Sequence, residues 1–185
     1  MAQFPARYEE NMKALLGEEG FALYAATFEH EARQGLRVNP LKISPEAFLE
    51  RSGEELTPVA WCETGFSFSG DTGRFSKHPD YAAGLYYLQE PSAMAPAAIV
   101  PVQPGDKVLD LCAAPGGKSC FLSELMQDTG RVQAWDVHPH RKELISAQAA
   151  RLHLDNIRPI NRDATVFRED SVKTKDAVLL DAPCS

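Results

Sequence analysis

Apolar and polar positions follow two different rhythms along this chain. In the first, PARYEENMKALLG and FALYAATFEHEARQG carry apolar residues at helical spacing. Each run is expected to end at a glycine, Gly17 or Gly20 for the first and Gly35 for the second. LRVNPLKIS reads as a short strand broken by Pro40. Ser44 is placed as an N-cap with Pro45 at the first helical position, so a helix should open there. PVAWCETGFSFSG reads as a short strand and a turn. Residues 1–75 are therefore expected to form a small α+β domain, with 76–106 as a connecting segment.

The second rhythm begins at Lys107. VLDLC is a short apolar strand, APGGKS a glycine turn, and KSCFLSELMQ a helix. RVQAWD and HPHRKELISAQAARLHL repeat the strand and helix, IRPIN gives a third strand, and DAVLLD a fourth. Strands alternating with helices predict an α/β parallel sheet covered on both faces over residues 107–185. Ligands of such sheets bind at the carboxyl ends of the strands.

Candidate chemistry collects at those ends. The glycine turn LDLCAAPGGKS lets backbone approach a ligand at a helix N-terminus. GGKS followed by AVLLD also suggests a phosphate-binding loop, but that pattern needs glycine at position 112, where Cys112 stands. The three-glycine dinucleotide fingerprint is absent as well. Asp136 ends the second strand, where an acid accepts hydrogen bonds from ribose hydroxyls, and Asp163 follows the third, in reach of an adenine amino group. Any one of these acids alone reads as a cap or turn residue. With Asp110 and Asp181 they stand at four consecutive strand ends, which describes an adenosine-containing ligand held without a triphosphate cradle. S-adenosylmethionine fits that description.

Composition narrows the setting. No apolar run approaches the ~20 residues of a membrane span, and the N-terminus lacks the apolar core of a signal peptide, so a cytoplasmic protein is expected. The four cysteines, Cys62, Cys112, Cys120 and Cys184, show no CxxC spacing and read as reduced thiols, without a metal site. A net charge of −7 argues mildly against a broad nucleic-acid surface, since phosphate binding depends on clustered cations.

LCAAPGGKS, the DxH at Asp136 and the terminal DAPCS resemble the Sun-type RNA cytosine-5 methyltransferases. LRVNPLK, PVAWCETGF and KHPDYAAGLYYLQEPSAMAPA resemble the segments preceding the catalytic sheet in that family, closest to its bacterial ribosomal RNA branch. The resemblance runs from about Leu36 to Ser185. It implies a Rossmann-like, S-adenosylmethionine-dependent methyltransferase sheet, of which the first four strands are present, preceded by a small α+β domain. Cys112, Ala113, Ala114, Pro115, Gly116, Gly117 and Lys118 would hold the methionine part of the cofactor. Asp136, with Arg141 nearby, would take the ribose, and Asp163 the adenine edge. Asp181 and Lys118 would face the reacting base.

In such chemistry a thiolate adds to carbon 6 of cytosine, carbon 5 takes the methyl group, and loss of the carbon 5 proton lets the cysteine leave. Spacing alone favours Cys184 as nucleophile, presented by a proline-fixed turn. The resemblance instead assigns attack to a second cysteine, after the next strand, and gives Cys184 a role in product release. That second cysteine is not among these 185 residues. The chain is therefore expected to be part of a longer enzyme, inactive alone, whose fourth strand pairs with a complementing C-terminal segment. A module that binds cofactor or RNA without turnover is the alternative. RNA, in particular ribosomal RNA, is the expected partner, with Arg33, Arg37, Lys42, Arg74, Lys77 and His78 as candidate phosphate contacts. Tyr86 and Tyr87 are expected to pack between the two regions.

Overall fold

Gly17, at φ +73°, divides the first helix. The computed structural model describes residues 4–29 and 33–182, and the chain falls into two units, Met1–Arg33 and Gln34–Ser185. In the first unit, α1 (Ala6–Ala26) bends at Gly17 and runs into a turn of 3-10 helix at Thr27–Glu29. The bend brings the Phe4 ring against Phe21 and Phe28, at 5.7 and 5.1 Å between centroids, and lets the Tyr8 and Tyr24 hydroxyls meet at 2.5 Å.

The second unit opens with β1 (Gln34–Val38), α2 (Pro45–Ser52), β2 (Thr57–Val59) and β3 (Cys62–Phe68). Short helices α3 (Gly73–Ser76) and α4 (Pro79–Ala82) lead to β4 (Tyr86–Leu88) and α5 (Pro91–Ala98). Ser44 caps α2 as expected, its hydroxyl accepting from Ala47 N at 3.2 Å. The strands pair antiparallel in the order β2-β3-β1-β4. Two expectations are corrected here. Gly35 lies inside β1 and ends no helix; a Cβ there would come within 2.9 Å of the Pro91 ring, so close packing explains the glycine. PVAWCETGFSFSG forms two strands, β2 and β3, because Ala60 and Trp61 turn the chain back on itself.

From Lys107 the chain forms β5 (Lys107–Asp110), α6 (Gly117–Leu125), β6 (Arg131–Asp136), α7 (Pro139–Leu152), β7 (Ile157–Asn161) and β8 (Ala177–Leu179). These strands are parallel, in the order β7-β6-β5-β8. Val108, Val132, Ala134, Ile157 and Leu179 share one core with Leu122, Met126, Ile145 and Leu152 of α6 and its end and of α7. Successive right-handed crossovers in one direction place both helices on that face. On the opposite face Leu109 and Trp135 of the two central strands are buried, while Val178 of the edge strand β8 is 55% exposed. No helix of the described residues is long and apolar enough to cross a membrane.

Arg37 joins the two sheets. Its side chain is fully buried and forms a bidentate pair with Glu124 of α6, Nε to Oε2 at 2.9 Å and Nη2 to Oε1 at 3.0 Å. Nη1 donates to Gln89 Oε1 and, at 3.3 Å, to Gly117 O, while the guanidinium lies 4.3 Å from the Phe121 ring centroid. Burial works against charge on Arg37, but the Glu124 carboxylate outweighs it and moves Arg37 further up. Asn39 donates to Gly84 O and Leu152 O, each at 3.2 Å, and Arg151 donates to Tyr81 O and Tyr86 O. Tyr86 and Tyr87 are buried in this junction.

Arg37 therefore cannot meet RNA phosphates, contrary to expectation, because Glu124 occupies its fork in the interior. Of the other cations in that set, Lys42 donates to Ala83 O at 2.5 Å, Arg74 pairs with Glu54 at 3.4 Å, and His78 caps α4.

Removing one partner of a buried ion pair leaves an uncompensated charge, at about 3–5 kcal/mol. Glu124→Gln should lower the unfolding free energy by that order in urea titrations. Arg37→Met combined with Glu124→Leu should cost clearly less than the single change. A double variant as unstable as the single one would show that the pair contributes through more than mutual neutralisation.

Candidate active site

The turn after β5 is shaped by its own backbone. Gly116 takes φ +110° at the N-cap of α6, a conformation that L side chains rarely adopt, and a Cβ there would sit 3.2 Å from Ile145 Cα. Gly116 N donates to Ala113 O at 2.7 Å, and Ala113 N to Trp135 O at 2.9 Å, which ties the turn to β6. Behind it, Ser119 Oγ donates to Asp110 Oδ2 at 2.6 Å. Burial pushes the Asp110 carboxyl up to about 6, against the opposing pull of Ser119 and Lys118.

The neighbouring strand ends supply the remaining acids. Asp136, at the end of β6, accepts from His138 N through Oδ1 at 2.9 Å and from Ala114 N through Oδ2 at 3.4 Å. Arg141 Nη1 stands 4.0 Å from the same Oδ2. The Asn161 amide, at the end of β7, donates to Asp136 O and Val137 O, both at 2.9 Å, and so locks the two strand ends together. Asp163 Oδ1 accepts from Thr165 N at 2.8 Å and Thr165 Oγ1 at 2.7 Å, and these bonds hold its carboxyl below the usual range. Asp181, beyond β8, pairs through Oδ2 with Lys118 Nζ at 2.5 Å.

These groups surround a cavity of about 560 Å³ at the carboxyl edge of the parallel sheet. Cys112, Ala114, Lys118, Asp136, Arg141, Asp163 and Asp181 line it. Four of the turn residues do not. Ala113 is buried in the core, Gly116 packs on α7, and Gly117 lies against the Tyr87 ring. Pro115 is exposed, away from the cavity wall. Cys184 lies outside the described residues.

Among the wall residues that sequence reasoning missed are Val137, His138, Arg162 and Thr165. Val137 and His138 directly follow Asp136, so adjacency to a strand-end acid was the available signal. Arg162 needs the β6–β7 register to be found, with Asn161 opposite Asp136; its guanidinium then stacks 4.7 Å from the Trp135 ring.

The described thiols are all held protonated. Burial raises Cys112, with Asp110, Asp136 and Asp181 adding to the shift. Burial also raises Cys62 and pushes Cys120 up to about 12. At neutral pH none of the three is a ready nucleophile.

The raised Asp110 has a signed consequence. A carboxyl whose folded value is about 6, against 3.8 unfolded, stabilises the fold below pH 3.8, and this contribution is lost as pH rises through 6. Asn at this position mimics the protonated acid at every pH. The stability of Asp110→Asn relative to wild type should therefore grow between pH 4 and pH 7, by an amount on the order of 2–3 kcal/mol. Unfolding titrations at a series of pH values measure it, and parallel curves would contradict the raised acid.

Comparison with known proteins places this geometry in a family. Residues 4–91 match the model of the N-terminal domain of 16S rRNA methyltransferase RsmF, and residues 97–185 that of 16S rRNA methyltransferase RsmB/F. The chain is 38% identical over 169 residues to ribosomal RNA small subunit methyltransferase F of Vibrio campbellii, covering 88% of this chain and 35% of the relative. It is 35% identical over 192 residues to the enzyme of the same description from Erwinia tasmaniensis, covering 98% of this chain and 40% of the relative. The chain thus spans well under half the length of these curated relatives. Among solved structures, a methyltransferase homolog protein from Pyrococcus horikoshii superposes with a TM-score of 0.81 at 32% identity, covering 91% of this chain and 56% of that one. With the two models matching successive stretches of the chain, it belongs to the RsmB/F family of 16S rRNA methyltransferases.

Proposed function

We propose that the cavity at the carboxyl edge of β5–β8 binds S-adenosylmethionine, and that the enzyme of which these residues form part methylates carbon 5 of a cytosine in ribosomal RNA, in the cytoplasm. The observation that carries the reading is the convergence of Asp136, Asp163, Asp181 and Lys118 on one cavity of about 560 Å³. That volume suits a ligand of this size. The donor pattern suits it too. An ionised carboxylate has about four acceptor sites, and Asp136 uses two on backbone N–H groups, leaving room for two ribose hydroxyls. Asp163 spends Oδ1 on Thr165, and its Oδ2 takes no bond among the described residues, so it can accept from an adenine amino group. Membership of the family supports the same assignment.

When bound, S-adenosylmethionine supplies an electrophilic methyl group. The chain's own residues hold and orient it: Asp136 the ribose, Asp163 the adenine edge, and Cys112 and Ala114 the wall beside the methionine part. Pro115, Gly116 and Gly117, with Ala113, act from behind by setting the shape of that wall. Arg141 faces Asp136 and limits repulsion between neighbouring acids. The Lys118–Asp181 pair is the group nearest the reacting base, with Asp181 able to share a proton with the cytosine ring while Lys118 balances its charge. Cys184 assists product release, and the attacking thiolate belongs to a cysteine outside these 185 residues. The raised thiols of Cys62, Cys112 and Cys120 fit that division. The 185-residue chain thus binds cofactor without turnover, and its edge strand β8 accepts the complementing C-terminal segment.

Titration calorimetry with S-adenosylmethionine tests the cofactor site. Wild type should bind, and Asp136→Ala should bind at least tenfold more weakly, a loss of about 1.4 kcal/mol or more. Equal affinity would remove Asp136 from the site. Incubation of the purified chain with labelled S-adenosylmethionine and cytosine-containing RNA should yield no 5-methylcytosine, and turnover would refute the assignment of the nucleophile.

A further inference from the structure

The opposite edge of the parallel sheet carries a second cleft, of about 440 Å³, whose lining includes Lys107, Arg131 and Lys175. Lys107 and Arg131 are the first residues of β5 and β6 and lie directly across from each other in the parallel register. Like charges facing one another across a strand pair are destabilising. Lys175 is held beside them: Asp176 N donates to Lys107 O at 2.9 Å, and Lys107 N donates to Asp176 Oδ2 at 2.8 Å.

Lys107 and Arg131 are exposed and Lys175 is half-buried, and among the described residues no carboxylate oxygen lies within the 4.0 Å of an ion pair with any of them. Among the described residues Lys175 Nζ donates to the neighbouring Thr174 hydroxyl, at 2.9 Å. The two nearby acids are turned to backbone, Asp106 to Gln103 N and Asp176 to Lys107 N, each at 2.8 Å. Gly105 and Gly130 leave the floor free of side chains, and Gln133 adds a neutral amide to the wall. In a chain of net charge −7, three unneutralised cations in one cleft form a local anion site.

We propose that this cleft binds the phosphate backbone of RNA through Lys107, Arg131 and Lys175, at the edge of the sheet remote from the cofactor cavity. The inference rests on the reading of the protein as an RNA methyltransferase and adds a substrate contact to it. The cleft reads charge and not sequence, because its cations stand on strand starts and a loop, with no aromatic ring in the lining on which a base could stack.

The test is fluorescence anisotropy with a labelled single-stranded oligoribonucleotide over a series of KCl concentrations. Wild type is compared with the combined variant Lys107→Gln, Arg131→Gln, Lys175→Gln. The variant should bind RNA at least tenfold more weakly, with a slope of log affinity against log salt shallower by about 2, as expected for three lost phosphate contacts at ~0.7 each. Its affinity for S-adenosylmethionine should match wild type. Its melting temperature should not fall, since facing like charges are removed. Unchanged RNA affinity and slope would overturn the proposal. So would displacement of the cations' effect onto inorganic phosphate, bound by wild type and not the variant with RNA affinity equal in both. If the combined variant does not fold, Lys175→Glu, in the irregular segment before β8, should weaken RNA binding in the same assay, and no change would count against the cleft. Failure of wild type to bind S-adenosylmethionine would count against the proposed function, independently of the RNA result.

Discussion

The buried pair of Arg37 and Glu124 is the constraint on which the second unit depends. One partner stands on the antiparallel sheet and the other on the helix that opens at the glycine turn. Two ions removed from water must satisfy each other closely, and the bidentate contact at 2.9 and 3.0 Å does so. The remaining guanidinium nitrogen reaches Gly117 O, at the first residue of α6. The antiparallel sheet therefore grips the helix one residue before Lys118, whose ammonium meets Asp181 in the cavity. The steps from Arg37 to Glu124 and Gly117 are directional bonds in a packed interior, so they hold the start of α6 in place.

The parallel sheet also has an electrical polarity. Its carboxyl edge gathers Asp110, Asp136, Asp163 and Asp181, balanced in part by Lys118, Arg141 and Arg162. Its amino edge gathers Lys107, Arg131 and Lys175. Burial keeps Cys112 a thiol, and the acids at the first edge add to it, since a thiolate there would face three carboxyl groups. They also offer acceptors for the hydroxyls and amino group of the proposed cofactor. The cations at the second edge have no such partners within the protein among the described residues, which separates the two clefts in chemistry as well as in place.

Much of this was legible in the residues. Ser44-Pro45 announced a cap, and the hydroxyl makes it. The strand–helix alternation from Lys107 announced a parallel sheet, and Asp136, Asp163 and Asp181 at its strand ends converge on one cavity, whereas Asp110 is buried against Ser119. The illegible parts share a cause: they depend on distant partners. Arg37 in LRVNPLK looked like any surface cation, and only Glu124, 87 residues on, makes it interior. Gly35 looked like a helix stop, and the close approach of Gln89 O and the Pro91 ring explains it. The glycines of the turn looked turned toward a ligand, whereas Gly116 meets α7 and Gly117 meets Tyr87.

What the sequence determined by itself is the set of local elements and the chemistry at their ends. Periodicity, caps and turns are short-range, and a parallel β–α alternation carries its ligand edge with it. What only the tertiary structure decided is which side of each residue faces the protein and which the ligand. That depends on strand order and register: β5 between β6 and β8 brings Asp136 and Asp181 to one cavity, and the facing of Lys107 with Arg131 makes the opposite cleft. Strand order and register are long-range properties, so no local pattern in the chain could have specified either.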